Sequence, residues 1–206
     1  MLARQEDYLS VQDYLAGERV STQRYEYVAG QVYAMAGAKI NHNIITTNLS
    51  ALLWVSLRGQ PCFPVASDLL IKTSHDRFRY PDVVVVCNDD PSQDDYVRER
   101  PILVVEVISE STRRTDKTDK RLEYIALPSL LEYVLVEQEI AEVTVYRRST
   151  GWQPSYYYLG ETITLESIAT TLQVEDIYER VDNGELAKWR LEKLESEVQA
   201  QSSPSF

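Results

Sequence analysis

A chain of 206 residues, 44% hydrophobic and 26% charged, has the size and composition of one soluble globular domain with terminal additions. No run approaches the ~20 consecutive apolar residues of a membrane span, and the opening MLARQEDYLS lacks the apolar core of a signal peptide, so a cytoplasmic protein is expected. The net charge of −11, from 32 acids against 21 Lys and Arg, excludes a general DNA-coating role and leaves room for an enzyme with one local basic lip.

Ser10, with Asp13 three residues on, reads as the N-cap of a short helix running through Leu15. From Arg24 the pattern alternates, predicting a hairpin that turns near Ala29-Gly30 and closes at Gly37. Asn41 to Leu57 carries Ile44, Ile45, Leu49, Leu52, Leu53, Val55 and Leu57 at helical spacing, a long and well-buried helix. Pro61 and Pro64 bracket an extended segment around Cys62. Asp68 to Lys72 is a strand, and Ser74 to Arg77 is a turn containing His75. Arg79 to Cys87 reads as one strand, buried on both faces through Val83-Val84-Val85-Val86. Cys62 and Cys87 stand singly in apolar context and read as small core residues, not as a disulfide or zinc site.

Asn88 to Arg100 is polar and reads as a mobile loop. Pro101 to Ser109 is an apolar strand interrupted only by Glu106. Ser111, Thr112 or Thr115 then caps a helix from about Asp116 to Ala126, and Leu131 to Glu137 is a further strand. Val143–Arg147, Trp152–Leu159 and Thr162–Leu165 suggest an antiparallel meander, in which Tyr156, Tyr157 and Tyr158 build a sheet surface or dimer contact. Glu175 to Gln201 reads as an acidic helix with too narrow an apolar face for deep burial, ending in a frayed tail. The predicted architecture is α/β (α+β): a mixed β-sheet flanked by helices, with an antiparallel C-terminal extension. Residues 1–182 form its main domain and residues 183–206 a terminal acidic helix and tail.

Asp82 and Glu106 are acids embedded in runs of Val, Ile and Leu, where a carboxylate is costly without a partner. A divalent metal is one such partner. Magnesium takes one or two carboxylates and keeps several waters, so two acids on neighbouring strands suit one ion, with the Val107 carbonyl as a third ligand. A lysine beside them orients water and stabilises charge on a phosphate, and Lys120 is the candidate. It lies in a stretch, Arg98 to Arg121, with seven Lys or Arg against five acids, a mildly basic island.

These residues resemble the PD-(D/E)XK nuclease superfamily: Pro81-Asp82, Glu106 within Val105-Glu106-Val107-Ile108-Ser109, and Asp116 and Lys120 followed by Tyr124. More narrowly they are similar to the bacterial Uma2 restriction-endonuclease family. Tyr25-Glu26 before Gly30-Gln31-Val32-Tyr33, His42 at the start of the long helix, Ser67-Asp68 and Leu131 to Val136 extend the resemblance over Leu9 to Leu165. It implies a restriction-endonuclease-like fold, Mg2+ or Mn2+, DNA as substrate and a homodimer. It makes Asp82, Glu106 and Lys120 catalytic, with Glu26, His42 and Asp68 as accessory residues. In the superfamily's short motif the lysine lies two residues after the acid. Here that position is Ile108, so the resemblance moves the cation to Lys120 (Lys117 lies on the same helix face).

Plainer readings stand beside each residue. Asp82 caps a turn after proline, Glu106 pairs with Arg79 or Lys72, and Lys120 pairs with Asp116 on a surface. Lys117, Lys120 and Tyr124 share one helix face, with Leu122 and Ile125 roughly opposite. If Leu122 and Ile125 face the sheet, Lys120 points to solvent; if Tyr124 packs beside the cleft, Lys120 is aimed into it. Two other functions compete with the nuclease: a catalytically weak nuclease-fold scaffold for DNA or protein binding, and an interaction protein acting through the acidic terminal helix.

Overall fold

The computed structural model describes residues 8–35, 37–110 and 112–202, with side chains to residue 195. Ser10 accepts the Asp13 N–H and caps α1 (Val11–Glu18), which runs past the expected Leu15. β1 (Tyr25–Val28) and β2 (Gln31–Ala34) form the expected hairpin. At its turn Ala29 and Gly30 take φ of 47° and 93°, the paired left-handed conformation that two-residue hairpin loops favour. α2 (Ile40–Ser56) is the long helix, with Ile45, Leu49 and Leu53 on its buried face.

The strand expected from Arg79 to Cys87 is two strands in two sheets. After β3 (Cys62–Ala66) and β4 (Leu70–Ser74), β5 (Arg77–Arg79) pairs with β1 and β4. The chain leaves that ladder at Tyr80-Pro81-Asp82, where Pro81 has no N–H to give, and enters β6 (Val83–Cys87) between β3 and β8 (Leu103–Ile108). Pro81 marks this junction in the sequence, but nothing local says that the residues on its two sides belong to different sheets.

The loop expected to be mobile is organised. Asp90 accepts the Glu99 and Arg100 N–H groups, and β7 (Val97–Arg98) pairs in parallel with β4. Cys62 and Cys87 form a disulfide, which corrects the reading of them as separate core residues. Its cause is register: antiparallel pairing of β3 with β6 sets the two cysteines directly opposite each other.

The helix after β8 begins earlier than expected. It runs as α3 (Arg113–Thr115), a π-helical stretch (Asp116–Lys120) and α4 (Arg121–Ile125). Thr112 stands at its N-cap without capping through its side chain, because that hydroxyl accepts the Ser109 N–H instead; Ser111 lies outside the described residues. β9 (Glu132–Glu137), β10 (Glu142–Arg147) and β11 (Pro154–Tyr158) complete the larger sheet, of order β11-β10-β9-β8-β6-β3, in which only β8 and β9 are parallel.

The meander stops at β11. β12 (Thr162–Leu165) pairs instead with β13 (Thr170–Gln173) in a separate hairpin. The terminal helix is broken into α5 (Val174–Ile177) and α6 (Gly184–Ser202); of the frayed end expected from Ser202 to residue 206, Ser202 closes α6 and residues 203–206 lie outside the described residues. Leu186 is buried, which corrects the reading of a shallow face, although Leu191 and Leu194 farther along are exposed.

Two layers of side chains hold the larger sheet. On one face Ile45, Leu49 and Leu53 of α2 pack on Val83, Val85, Val105 and Val107. On the other, Tyr124, Leu127 and Leu130 cover Val84, Val104, Ile108 and Tyr133. Each fully buried Val, Leu or Ile contributes about 1.5–3 kcal/mol. The smaller sheet, β2-β1-β5-β4-β7, packs Tyr27, Phe78 and Leu70 against Tyr14 of α1. No helix among the described residues is long and apolar enough to cross a membrane.

Candidate active site

The site lies where the two sheets part. Side chains alternate along β8, so Val105 and Val107 face α2 while Val104, Glu106 and Ile108 face the helical stretch that follows. Ile108, the position of the superfamily's lysine, is core. β6 and β8 pair Val83 with Val105, and continuing that register places Asp82 across from Glu106 just as the strands separate. The Val107 N–H, left without a ladder partner there, donates to Asp82 Oδ2 at 2.7 Å. His42, in the first turn of α2, brings Nε2 to 3.2 Å from the same oxygen.

Lys120 is aimed inward. Tyr124 is fully buried and Leu122 is 56% exposed, so the helix presents its Lys120–Tyr124 face to the cleft. The Lys120 ammonium lies 3.0 Å from Glu26 Oε1, 3.2 Å from Glu106 Oε1 and 3.4 Å from Asp116 Oδ1. Tyr124 donates its hydroxyl to Glu106 Oε1 at 3.1 Å. The π-helical stretch begins at Asp116 and ends at Lys120, and both are buried. Such wide turns occur mostly as single interruptions, often at functional sites.

Glu26 enters from β1 and is held by Arg79, whose Nη1 lies 2.7 Å from Glu26 Oε2. The same guanidinium makes a forked contact with Glu123, from Nε at 2.8 Å and Nη2 at 2.7 Å. Neither alternative partner of Glu106 is used: Arg79 serves Glu26 and Glu123, and Lys72 pairs with Glu99.

Of the residues singled out in the sequence, the structure brings together Asp82, Glu106, Lys120, Glu26, His42 and the Val107 backbone. It does not bring Asp68, which faces Arg24 at 3.4 Å on the surface and stays out of the cavity. Lys117 pairs with Glu137 instead of entering the cluster. Asp116, quoted in the resemblance with Lys120 and Tyr124 but given no role in the site, also joins the cluster. Two members were missed. Arg79 and Glu123 become neighbours only when the small sheet docks on the helix, and nothing local announces that.

The cavity encloses about 1060 Å³, and its lining holds six acids against Lys39, Arg77, Arg79 and Lys120. Burial pushes the Glu106 carboxyl well above the usual range; Lys120 opposes this, while Asp116, Asp82 and Glu26 reinforce it. Burial likewise raises Asp116, against the pull of Lys120. Burial alone would lower Lys120, but Glu106, Glu26 and Asp116 more than reverse it and keep the amine charged. His42 is also raised: Asp82, Asp116 and the Val107 backbone outweigh its desolvation.

This excess of hard oxygen donors fits a small divalent cation. Asp116 Oδ1 is buried and makes no hydrogen bond among the described residues beyond its 3.4 Å ion pair with Lys120. No three His, Cys, Asp or Glu side chains among the described residues form a ready-made metal-holding group.

The raised Glu106 carboxyl has a consequence for stability. Because burial raises the Glu106 carboxyl in the folded state, the folded protein gives up this proton at higher pH than the unfolded chain, so the contribution of this group to stability falls as pH rises above about 4.5. In metal-free protein Glu106→Gln is expected to melt higher than wild type at about pH 7, with the gap closing toward pH 4.5. Melting curves across that range test this. A variant that melts lower throughout would show that the Lys120–Glu106 pair stabilises the native state.

Mixed sheets flanked by helices, with acids and a lysine meeting where strands part, define a nuclease-like fold of the restriction-endonuclease class. The crystal structure of "a putative nuclease belonging to DUF820" from Anabaena variabilis superposes with a TM-score of 0.63 over 75% of this chain and 89% of its own, at 16% identity, a likeness of fold. The chain belongs to the Uma2 family, described as "Putative restriction endonuclease", whose profile matches residues 11–175. The uncharacterized protein slr1290 of Synechocystis sp. is 34% identical over 173 residues, spanning 82% of this chain and 91% of that protein. The uncharacterized protein sll1609 of the same organism is 32% identical over 143 residues, spanning 68% and 81%.

Proposed function

We propose that this protein is a metal-dependent endodeoxyribonuclease. Asp82 and Glu106, with the Val107 carbonyl, hold Mg2+ or Mn2+, and Lys120 positions the attacking water and the phosphate. The observation that carries this reading is the inward Lys120 ammonium, within 3.4 Å of three buried carboxylates in a cavity that Asp82 also lines. A bound divalent ion supplies Lewis-acid polarisation of the phosphate and a lower pKa for the attacking water.

The chain's own groups do the rest. Lys120 donates toward the oxygens on which charge develops as water oxygen bonds to phosphorus and the P–O bond to the leaving sugar breaks. Glu26, fixed by Arg79, and Tyr124 hold Lys120 and Glu106 in place. His42 fixes Asp82. Two copies of the chain would set one such site against each strand of a duplex, which supports a homodimer acting on DNA. In this reading residues 1–182 are the nuclease domain and residues 183–206 an appended segment, whose helix α6 is anchored in its first turn by Leu186 in the core and by Glu185 accepting the Ala141 N–H.

Nicking of supercoiled plasmid in Mg2+ or Mn2+ tests the proposal. Wild type is expected to nick, and Asp82→Ala and Glu106→Ala to fall to background. Equal nicking by all three proteins would mean a contaminant. No nicking together with no Asp82-dependent heat of metal binding would leave only a nuclease-fold scaffold.

A further inference from the structure

Gln138 follows β9 directly and is 1% exposed, yet neither end of its amide has a hydrogen-bond partner among the described residues. A buried donor or acceptor left unpaired costs about 1–3 kcal/mol, so such a group calls for an explanation. The Gln138 side chain lines the same cavity as the site acids. So does the start of α2. There the N-cap is Lys39, no side chain caps the helix, and its first turn holds no acid. A 17-residue helix left this way presents unpaired N–H groups and roughly half a positive charge at its N-terminus.

The two features are neighbours. Lys39 Nζ lies 3.4 Å from Glu139 Oε1, which ties the start of α2 to the residue beside Gln138. That pair is exposed on both sides, worth little, and easily exchanged for a better partner. His42 Nδ1, one turn into the helix, is buried and equally unpartnered.

We infer that Gln138, Lys39 and the first turn of α2 form a phosphate subsite, which binds a phosphodiester group flanking the one that is cut. This rests on the nucleic-acid hydrolysis proposed above. The chemistry of the groups selects an anion: helix N–H donors, an ammonium and a carboxamide N–H2 line one cavity, and each can donate to a phosphate oxygen. The rest of the cavity explains the need for it. Its acids suit a cation and repel a polyanionic strand, so attraction for the strand has to come from beside the acid ring. The Gln138 carboxamide remains unpaired until that phosphate arrives.

The test uses short DNA duplexes bound by the whole protein in Ca2+, each carrying one methylphosphonate, which removes the charge of a single linkage. Wild type is expected to lose about tenfold in affinity at one linkage near the scissile position, the equivalent of one charge-assisted hydrogen bond. Gln138→Leu and Lys39→Gln should bind the unmodified duplex about tenfold more weakly and lose nothing further at that linkage. Lys39→Gln should also lower the salt slope by about 1. Without DNA, Gln138→Leu should melt at or above wild type, since it removes an unpaired amide.

If wild type and both variants respond alike at every linkage, the subsite is absent. Wild-type affinity with a lower melting temperature in Gln138→Leu would also overturn it, because Gln138 would then be structural. Plasmid nicking is scored separately: loss of Asp82-dependent nicking removes the proposed activity, whereas nicking with a flat methylphosphonate scan removes only the subsite.

Discussion

Lys120→Met is expected to lower metal-dependent cleavage by about 10²–10³-fold, the usual cost of removing one preorganised donor from a site of developing negative charge. The loss should fall on kcat more than on KM, because the ammonium acts on charge that appears only as the reaction proceeds. Metal affinity should move the other way. Without Lys120, the carboxylates of Glu26, Glu106 and Asp116 lose the cation they share, and a divalent ion becomes the remaining means of neutralising them. Tighter metal binding with lost turnover would separate a catalytic lysine from a structural one. Undiminished cleavage by Lys120→Met would end its catalytic role. Arginine is not an equivalent: its planar fork does not fit a space shaped around one ammonium, so Lys120→Arg should stay inactive.

Arg79→Met is expected to cost about 3–5 kcal/mol of folding stability, the penalty for stranding buried charges by removing one partner. Arg79 is 4% exposed and joins Glu26 to Glu123. Its loss leaves Glu26 to Lys120 and the Tyr80 N–H, and Glu123 to Arg77 and the Thr73 hydroxyl. Against a typical stability of about 5–15 kcal/mol this is a large fraction. Urea denaturation of wild type and variant measures it. A change below about 1 kcal/mol would show that apolar contacts alone, such as Ile71 in the cluster around Tyr124, hold the small sheet to the helix. Arg79→Lys should recover little, since a lysine cannot fork onto Glu123 while reaching Glu26.

Local chemistry carried much of the fold. The Ser10 cap, the Ala29-Gly30 turn, the long apolar helix and the Glu106 strand are each written within a few consecutive residues, and each formed as expected. What failed was long-range. Arg79 to Cys87 was read across Pro81 as one strand, and nothing local says that its first residue serves one sheet and its last another. The Cys62–Cys87 bond follows from strand register, which spacing alone does not give. Asp82 and Glu106 were legible because acids amid apolar residues need partners, whereas Lys120, in a charged stretch, was assigned to the site through the resemblance. The side on which Lys120 would lie was not legible, because Tyr124 and Leu122 offered competing faces and only packing chose between them. Asp68 was also drawn into the reading by the resemblance; in space its partner is Arg24.

The π-helical stretch from Asp116 to Lys120 has a genetic meaning. A wide turn of this kind is what one additional codon leaves behind when a helix absorbs it without unwinding. Because the wide turn takes up an extra residue locally, removing one residue there would close it to an ordinary α turn and leave Tyr124 facing the sheet, while the spacing from Asp116 to Lys120 shrinks from four residues to three. A single-codon deletion thus alters that spacing without unseating the helix.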